Sequence, residues 1–448
     1  MSIKKILAFI LAAAMVLSLG PAALASEDPD ALYKQGREAF DEGDMESALE
    51  LFTAAAEAGS GDAAGMLAYM YSTGEGVEPD PELAFQWASQ GAEQGAALAQ
   101  AMLGNMYITG EGVEKDPELA RQLFEKAVAQ DNIMSMLNLG MMYELGEGVE
   151  QDGAKAEELY QKAADLGNYF GICRLAFMYR NGDGVEQDYE EAARLFQLVV
   201  DESPQDEYRA EAAVELGLLY ENGAGVEKDV DRAAELYEIG ADLGYGLGLN
   251  NLAVMYFRGT GVEQDRAKAL ELSRQAAEAG ASAGMEFVGE FYDEGYGVVD
   301  VDYAEAARWY EKAVETDEYN FEAMYRLGVL YEEGRGVKKD EAKAKELYGQ
   351  AFELISAYGE LTDATLQRLM GEMYLFGRGT EQDCDKALEL LTRASDNGDM
   401  FAPGDLGYMY ANGEGVEQDD DKAVEYYTQA AELGDEDAAQ MLEQINEE

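Results

Sequence analysis

A short element, Gly-x-Gly-Val, recurs along this chain at nearly constant intervals. Nine copies have this pattern and one is the variant Gly-Arg-Gly-Thr. Their first glycines are Gly74, Gly110, Gly146, Gly182, Gly223, Gly259, Gly295, Gly334, Gly377 and Gly413. Successive copies are 36, 36, 36, 41, 36, 36, 39, 43 and 36 residues apart. Such a period is typical of repeat proteins in which each unit is one supersecondary element.

The residues before each element have the spacing of an amphipathic helix, here called helix A. A large apolar residue lies seven positions before the first glycine, and small residues lie six and eleven positions before it in most copies. Together with a tyrosine, these positions form one stripe on a helix. The tyrosine stands three residues before the first glycine in all ten copies: Tyr71, Tyr107, Tyr143, Tyr179, Tyr220, Tyr256, Tyr292, Tyr331, Tyr374 and Tyr410.

A second helix, helix B, is predicted after each element. It follows an aspartate, and in nine copies a fixed alanine stands ten residues after the first glycine. The glycine can adopt a positive φ and end helix A, while the aspartate can cap helix B by accepting backbone N–H groups. The alanines are Ala84, Ala120, Ala156, Ala192, Ala233, Ala269, Ala306, Ala344, Ala387 and Ala423. Each repeat is therefore predicted to be a hairpin of two helices.

Stacking of these hairpins determines the predicted fold. One hairpin cannot bury its own apolar face, but stacked hairpins bury a continuous core. We therefore expect residues 26–448 to form one all-α solenoid of about eleven antiparallel helix pairs. Residues 31–58 form a first pair with a shorter turn that matches a tetratricopeptide unit, residues 62–435 form ten repeats, and residues 436–448 form a capping helix.

The first 25 residues have the layout of a secretory signal peptide. Lys4 and Lys5 precede an apolar run, and a small-x-small site ends at Ala25. We predict cleavage after Ala25 and a secreted, extracytoplasmic bacterial protein. The alternative is an uncleaved anchor, although the run is shorter than the about 20 apolar residues that span a bilayer. No later segment of the sequence is apolar enough to be a transmembrane helix.

Composition argues against several classes of function. The chain has 92 acidic and 32 basic residues, a formal net charge of −60, and no histidine. A surface this acidic repels nucleic acid. Without histidine, Ser-His-Asp, Cys-His and His-Glu-x-x-His sites are excluded. No loop fits the EF-hand spacing. We predict no catalytic residue, no cofactor and no dedicated metal site, with diffuse cation binding as an alternative.

The repeat resembles a known family. The pattern A-x-x-x-L-G-x-M-Y-x-x-G-x-G-V-x-x-D-x-x-x-A, as in Ala99 to Ala120, is similar to the Sel-one-like repeat (SLR), a relative of the tetratricopeptide repeat. The resemblance implies a right-handed α-solenoid superhelix whose concave surface is lined by helix A. It also implies an adaptor or scaffold for protein complexes. A cysteine-rich secreted branch of the family is linked to penicillin-like compounds, but its paired cysteines are absent here.

The resemblance also implies which residues face a partner. Helix-A positions 12, 9, 5 and 2 before the first glycine should line the concave surface, and many of them are apolar, aromatic or methionine. We call the following twelve residues the helix-A surface: Tyr69, Leu98, Ile108, Met134, Met141, Phe170, Phe177, Leu218, Phe257, Tyr325, Phe401 and Tyr408. The alternative is that tight winding buries this stripe as core.

The predicted function follows from that surface and its acidic neighbours, which include Glu144, Glu221 and Glu290. Such a surface suits a protein or peptide with apolar anchors and basic flanks. We predict an exported scaffold or adaptor that binds proteins and is not an enzyme. The alternatives are an accessory or hydrolytic factor that acts on cell-wall material and an acidic cation-binding protein. The oligomeric state stays open.

Overall fold

Helices are the only regular secondary structure in the described part of the chain. The computed structural model describes residues 28–357, 359, 361 and 363–447. Within these residues there are 23 helices and no strand, which confirms the all-α prediction. The predicted signal peptide, residues 1–25, lies outside the described residues.

The helices follow one another as pairs. Helices α1 (Pro29–Asp41) and α2 (Met45–Glu57) form the first pair. The A helices of the ten repeats are α3 (Gly61–Thr73), α5 (Ala97–Thr109), α7 (Ile133–Leu145), α9 (Tyr169–Asn181), α11 (Asp206–Asn222), α13 (Gly246–Arg258), α15 (Ser282–Glu294), α17 (Phe321–Glu333), α19 (Ala364–Phe376) and α21 (Ala402–Asn412). The B helices are α4 (Pro81–Glu93), α6 (Pro117–Val128), α8 (Gly153–Asp165), α10 (Tyr189–Glu202), α12 (Val230–Asp242), α14 (Arg266–Glu278), α16 (Tyr303–Thr316), α18 (Glu341–Ala357), α20 (Cys384–Asp396) and α22 (Asp420–Leu433). Helix α23 (Glu436–Glu447) follows the last pair. The eleven predicted pairs are therefore confirmed.

The described residues form two compact units. The first contains residues 28–203 and 224–226, and the second contains residues 204–223 and the described residues from 227 to 447. In each unit the core consists of alanine, leucine, methionine and aromatic side chains contributed by both helices of every pair. That the repeats act as one uninterrupted array stays a prediction.

The turn between helix A and helix B has the same hydrogen bonds in all ten repeats. The first glycine has a positive φ and follows the last residue of helix A. The backbone N–H of the capping aspartate donates to the carbonyl of the repeated tyrosine at 2.8–3.0 Å. The aspartate side chain accepts backbone N–H groups in the first turn of helix B, for example from Leu119 to Asp116 at 3.0 Å. The predicted capping is confirmed, and all ten tyrosines are partly buried.

The second glycine of the element lies in close contact with the preceding repeat. Gly261 has a φ of 70°, and a Cβ at this position would lie 2.3 Å from the carbonyl oxygen of Val230, in the first turn of helix B of the previous repeat. Gly112 and Gly379 approach backbone carbonyls in the same way, at 2.4 Å each. Any side chain here meets both a strained backbone and an occupied space.

One repeat in the second unit departs from this arrangement. The loop from Gly295 to Asp302 contains one residue more than the other nine loops. Gly297 has the same φ of 70°, but a Cβ there would meet nothing within 4 Å. Tyr296 has a φ of 44° and is buried against Phe257, with ring centroids 4.7 Å apart. In this longer loop, Tyr296 thus adds an aromatic ring to the core.

Small residues in helix A make room for aromatic rings from helix B. A Cβ at Gly140 would lie 2.7 Å from the ring of Tyr160, which is fully buried. The Tyr160 hydroxyl donates to Glu144 at 2.6 Å. The same arrangement of glycine, tyrosine and acid recurs in three other repeats, with the pairs Tyr237–Glu221, Tyr310–Asp293 and Tyr348–Glu332. Some acids predicted to border the helix-A surface therefore accept hydrogen bonds from the core.

Candidate functional site

The helix-A surface is neither uniformly core nor uniformly exposed. Met134 and Tyr408 are exposed, at 37% and 38%, and Phe257 and Tyr325 are buried, at 4% each. The other eight residues are partly buried: Tyr69, Leu98, Ile108, Met141, Phe170, Phe177, Leu218 and Phe401. Ten of the twelve predicted residues therefore keep some accessible area.

In the first unit, the predicted residues lie on the core and expose one side. Tyr69 and Leu98 are partly buried and pack against the core of the first repeats. Phe177 contacts the buried ring of Phe196 edge-on, with centroids 5.3 Å apart. These contacts fix the side chains, so the apolar area that remains accessible is held in place without a partner.

In the second unit, Phe257 and Tyr325 are part of the buried core. The Phe257 ring lies 5.4 Å from that of Phe287. Tyr325 packs on Tyr348 at 5.5 Å, and its hydroxyl accepts a hydrogen bond from Arg378 at 2.8 Å. These two residues support neighbouring side chains and present little surface to a partner.

Two clefts in the second unit bring predicted residues together with charged ones. The large cleft, of about 440 Å³, is lined by Phe401 and Tyr408 together with Arg326 and Arg368. The small cleft, of about 120 Å³, shares Phe401 and both arginines with it and also includes Phe257. Three of the twelve predicted residues thus meet around the same two arginines.

Arg326 is the centre of an ion-pair network between α15 and α17. Its guanidinium lies 3.2 Å from Glu290, 3.8 Å from Glu286 and 3.9 Å from Glu322, and its side chain is only 16% exposed. At such burial, carboxylates depend on the arginine to compensate their lost hydration. Arg326 therefore holds the two helices together through charge as well as packing.

Arg368 extends this network to α19 and the segment before α21. It is buried, pairs with Glu372, and lies 3.3 Å from Asp399 and 3.8 Å from Glu322. Its guanidinium is also 5.5 Å from the centre of the Phe401 ring. We call the following residues the arginine–carboxylate cluster: Glu286, Glu290, Glu322, Arg326, Arg368, Glu372, Asp399 and Asp405. It contains six carboxyl groups and two guanidinium groups.

The excess of acid raises several carboxyl pKa values. Burial raises the pKa of Glu286 well above its usual value, and the charges of Glu322 and Glu290 raise it further. Burial and the charge of Glu372 do the same to the pKa of Asp405. Burial also raises the pKa of Glu322, although both arginines oppose this. These groups therefore retain protons at pH values where ordinary carboxyl groups are ionised.

The stability of the second unit should consequently fall as the pH rises. Groups with raised folded-state pKa values bind more protons in the folded state than in the unfolded one, so their contribution is complete below the ordinary carboxyl pKa and is lost as pH rises through the raised values. We expect the urea midpoint to decrease between about pH 5 and about pH 8. Glu286→Gln should reduce this dependence, because the amide does not titrate. The measurement is urea unfolding followed by circular dichroism across that range.

The matched control is Glu235→Gln, which removes one exposed carboxylate paired with Arg232. The whole chain repels itself less at low pH, and both variants share that general effect. A pH dependence that is equally steep in Glu286→Gln, Glu235→Gln and the wild-type protein would contradict the assignment to the buried cluster.

Of this cluster the prediction named only Glu290, as an acidic neighbour, because the twelve residues of the helix-A surface were chosen for apolar character. Glu286 and Glu290 stand nine and five positions before Gly295, and Arg368 and Glu372 have the same two positions before Gly377. Both positions belong to the predicted concave set. The signal that could have identified the site is a pair of charges at those positions, in a chain with few basic residues.

The comparison with protein families identifies the repeat. A model described as "Sel1 repeat" matches residues 29–60, 61–95, 97–132, 133–168, 170–198, 210–245, 246–280, 282–315, 321–355, 365–399 and 405–435. The chain therefore belongs to the Sel1 repeat family, and its first helix pair matches the family model as well. Proteins of this family generally mediate protein–protein interactions.

Two solved structures of bacterial proteins are similar to the chain. One is a protective antigen present in uropathogenic Escherichia coli strains, described as displaying an SLR fold; it is 29% identical, with 89% of this chain and 90% of that chain covered and a TM-score of 0.56. The other is a Sel1 repeat protein from Oxalobacter formigenes, 27% identical, with 56% and 96% covered and a TM-score of 0.50. Among the helices described here, none has the length and apolar character needed to cross a membrane.

Proposed function

We propose that this protein is an exported scaffold that binds a partner protein or peptide along its helix-A surface. One observation carries the proposal: side chains from four successive A helices, α15 to α21, line a single cleft of about 440 Å³ in the second unit. Phe401 and Tyr408 contribute apolar rings to it, and acids surround them. The cleft thus combines fixed charged groups, which can orient a ligand, with aromatic rings that offer apolar contact area.

The chemistry of the cleft indicates the kind of partner. Tyr408 is 38% exposed and lies 5.7 Å from the ring of Phe376, so two aromatic rings offer apolar contact area. The cluster beneath them has more carboxyl groups than arginines, which favours positive charge in the ligand. A peptide with apolar anchors and basic flanks satisfies both requirements.

Export is part of the proposal. Lys4 and Lys5, the apolar run after them and the site at Ala25 support a cleaved signal peptide. N-terminal sequencing of the protein recovered from outside the cytoplasm of its source cells should give Ser26 as the first residue. Recovery of a chain that still begins before Ala25 would contradict cleavage.

The binding proposal is tested with two exposed members of the surface. Affinity capture with residues 26–448 identifies the partner, and its binding is then measured by calorimetry. We expect Met134→Glu combined with Tyr408→Glu to weaken binding by about tenfold or more, since truncating or charging interface anchors removes most of the binding energy. Leu166→Glu is the matched control, because Leu166 is 49% exposed but follows a B helix.

Unchanged circular dichroism and an unchanged unfolding midpoint must accompany the loss of binding. If the double variant binds the partner as tightly as Leu166→Glu and wild type, the helix-A surface is not the binding site. If the double variant unfolds, Tyr408 and Met134 contribute to the core, and the proposed role of these two residues is wrong.

A further inference from the structure

We propose that the small cleft binds the cationic end of a lysine or arginine side chain supplied by a partner peptide, an inference that rests on the function proposed above. The first observation is the state of Glu286. It is 9% exposed, lines the small cleft, and its Oε1 atom makes no hydrogen bond to any described residue. The nearest cation, Arg326, is 3.8 Å from that atom, beyond hydrogen-bond distance.

A second acceptor in the same cleft lacks a donor. The Oδ1 atom of Asn250, on α13, is buried and has no hydrogen-bond partner among the described residues. In the adjoining large cleft, Oδ2 of Asp405 is also buried and also has no hydrogen-bond partner among the described residues. An unsatisfied buried acceptor destabilises the folded protein, and more so when it is charged. In the small cleft, Asn250 and ionised Glu286 therefore lack N–H or O–H donors, which a ligand can supply.

Charge decides which donor fits best. The small cleft is lined by four carboxyl groups and three guanidinium groups, an excess of one acid. Arg326 and Arg368 each lie within 4 Å of several acids, although Nε of Arg368, 3.3 Å from Asp399, makes no hydrogen bond. Groups from every helix around Glu286 are charged: Glu290 on α15, Arg258 on α13, Glu322 and Arg326 on α17, Arg368 on α19, and Asp399 before α21. A cation replaces the proton that burial otherwise places on Glu286, whereas an anion adds to the repulsion.

The walls and size of the cleft select a side chain. Phe257, Phe287 and Phe401 line it beside the polar atoms, and such rings pack against a methylene stem and attract a cation over their faces. Its volume of 120 Å³ holds about four water molecules, which is space for one side-chain end. The large cleft shares Phe401, Arg326 and Arg368 with it and leaves room for the backbone of the peptide.

An organic cation fits this site better than a metal ion. Across the described residues, no group of three or more cysteine, aspartate or glutamate side chains is placed to hold a metal. Arg326 also lies within 4 Å of three of the acids, so a divalent ion would be repelled by a fixed positive charge. An ammonium or guanidinium group carries a single diffuse charge and several directed N–H donors.

The test compares peptides that differ only in charge. Residues 26–448 are titrated with acetyl-Phe-Ala-Lys-Ala-Phe-amide and with the same peptide carrying norleucine instead of lysine. We expect the lysine peptide to bind about tenfold tighter or better, because its ammonium group makes a buried charge-assisted hydrogen bond that norleucine cannot make. Glu286→Gln should abolish most of this preference, and Glu235→Gln should retain it.

The pH dependence gives a second measurement. Binding of the lysine peptide should weaken as the pH falls, because protons compete with the ligand for Glu286, while binding of the norleucine peptide should not change in this way. No binding of the lysine peptide, equal binding of both peptides, or an unaltered preference in Glu286→Gln would each overturn the inference.

The two proposals fail in different ways. Once the partner is known, its lysines and arginines are replaced by glutamine one at a time. If no replacement weakens binding while Met134→Glu with Tyr408→Glu abolishes it, the helix-A surface stands as the binding site and the cationic subsite does not. If the combined helix-A variant has no effect on partner binding but the protein still binds the lysine peptide more tightly than the norleucine peptide, the cationic subsite stands. The helix-A surface is then not the site that binds the partner.

Discussion

Replacing Arg326 by methionine should lower the free energy of unfolding of the second unit by about 3–5 kcal/mol, the cost of removing one partner from a buried ion pair. Methionine fills much of the same space but leaves Glu286, Glu290 and Glu322 without the cation that lies within 4 Å of them. The measurement is urea unfolding at neutral pH, with the midpoint and slope compared with those of the wild-type protein.

The control for this substitution is Arg308→Met. Arg308 pairs with Glu305 at 2.8 Å, but its side chain is 71% exposed. A surface pair of this kind contributes about 0–1 kcal/mol. The loss in Arg326→Met should also shrink at lower pH, where the carboxyl groups take up protons. Equal effects of the two substitutions would show that the cluster does not depend on its central arginine.

Gly261→Ala should destabilise the protein far more than Gly297→Ala, although the two glycines occupy the same place in neighbouring repeats. Both have a φ of 70°, so both substitutions pay the left-handed backbone cost of about 1–2 kcal/mol. Only at Gly261 would the new methyl group lie 2.3 Å from a backbone oxygen, that of Val230. Overpacking of this kind costs about 1–3 kcal/mol more.

Thermal or urea unfolding of both alanine variants measures the difference, and the shared backbone term cancels in it. The comparison therefore isolates the close approach between repeats from the strain of the turn. Equal losses of stability in Gly261→Ala and Gly297→Ala would mean that the loop moves away from Val230 at little cost, and that the second glycine is required only for its φ.

The fold could be predicted largely because each repeated feature has a local cause. The first glycine ends helix A through its φ, and the aspartate caps helix B through its own side chain, as Asp116 does. Because the glycine and the aspartate recur in ten repeats, their positions cannot be a chance agreement. The Sel1 family and the eleven helix pairs follow from the same residues.

The departure at Tyr296 could not be predicted in the same way. The sequence has one additional residue between Gly297 and Asp302, but sequence spacing does not say how Tyr296, the residue between the two glycines, is oriented. In the structure Tyr296 turns into the core beside Phe257 and Phe291, and its hydroxyl donates to Glu290. Gly297 then loses the close contact that its counterparts make.

The candidate site was predicted only in part, for a physical reason. The helix-A positions were chosen by apolar character, which correctly marks contact area such as Phe401 but also marks core, as at Phe257 and Tyr325. Whether charged side chains at such positions face water or each other depends on the neighbouring repeats. Arg326 is largely buried, and acids from α15 and from its own helix surround it.

The close approach of several second glycines to the preceding repeat has a consequence for which repeats can be neighbours. At Gly112, Gly261 and Gly379 the opposing group is a main-chain carbonyl, which every amino acid possesses. At these three positions the contact does not depend on the identity of the opposing residue, whereas at Gly76, Gly148 and Gly415 the nearest atom belongs to a side chain. A preceding repeat can therefore be replaced at the first three positions without a matching side chain, and Gly297, whose loop is one residue longer, makes no such contact.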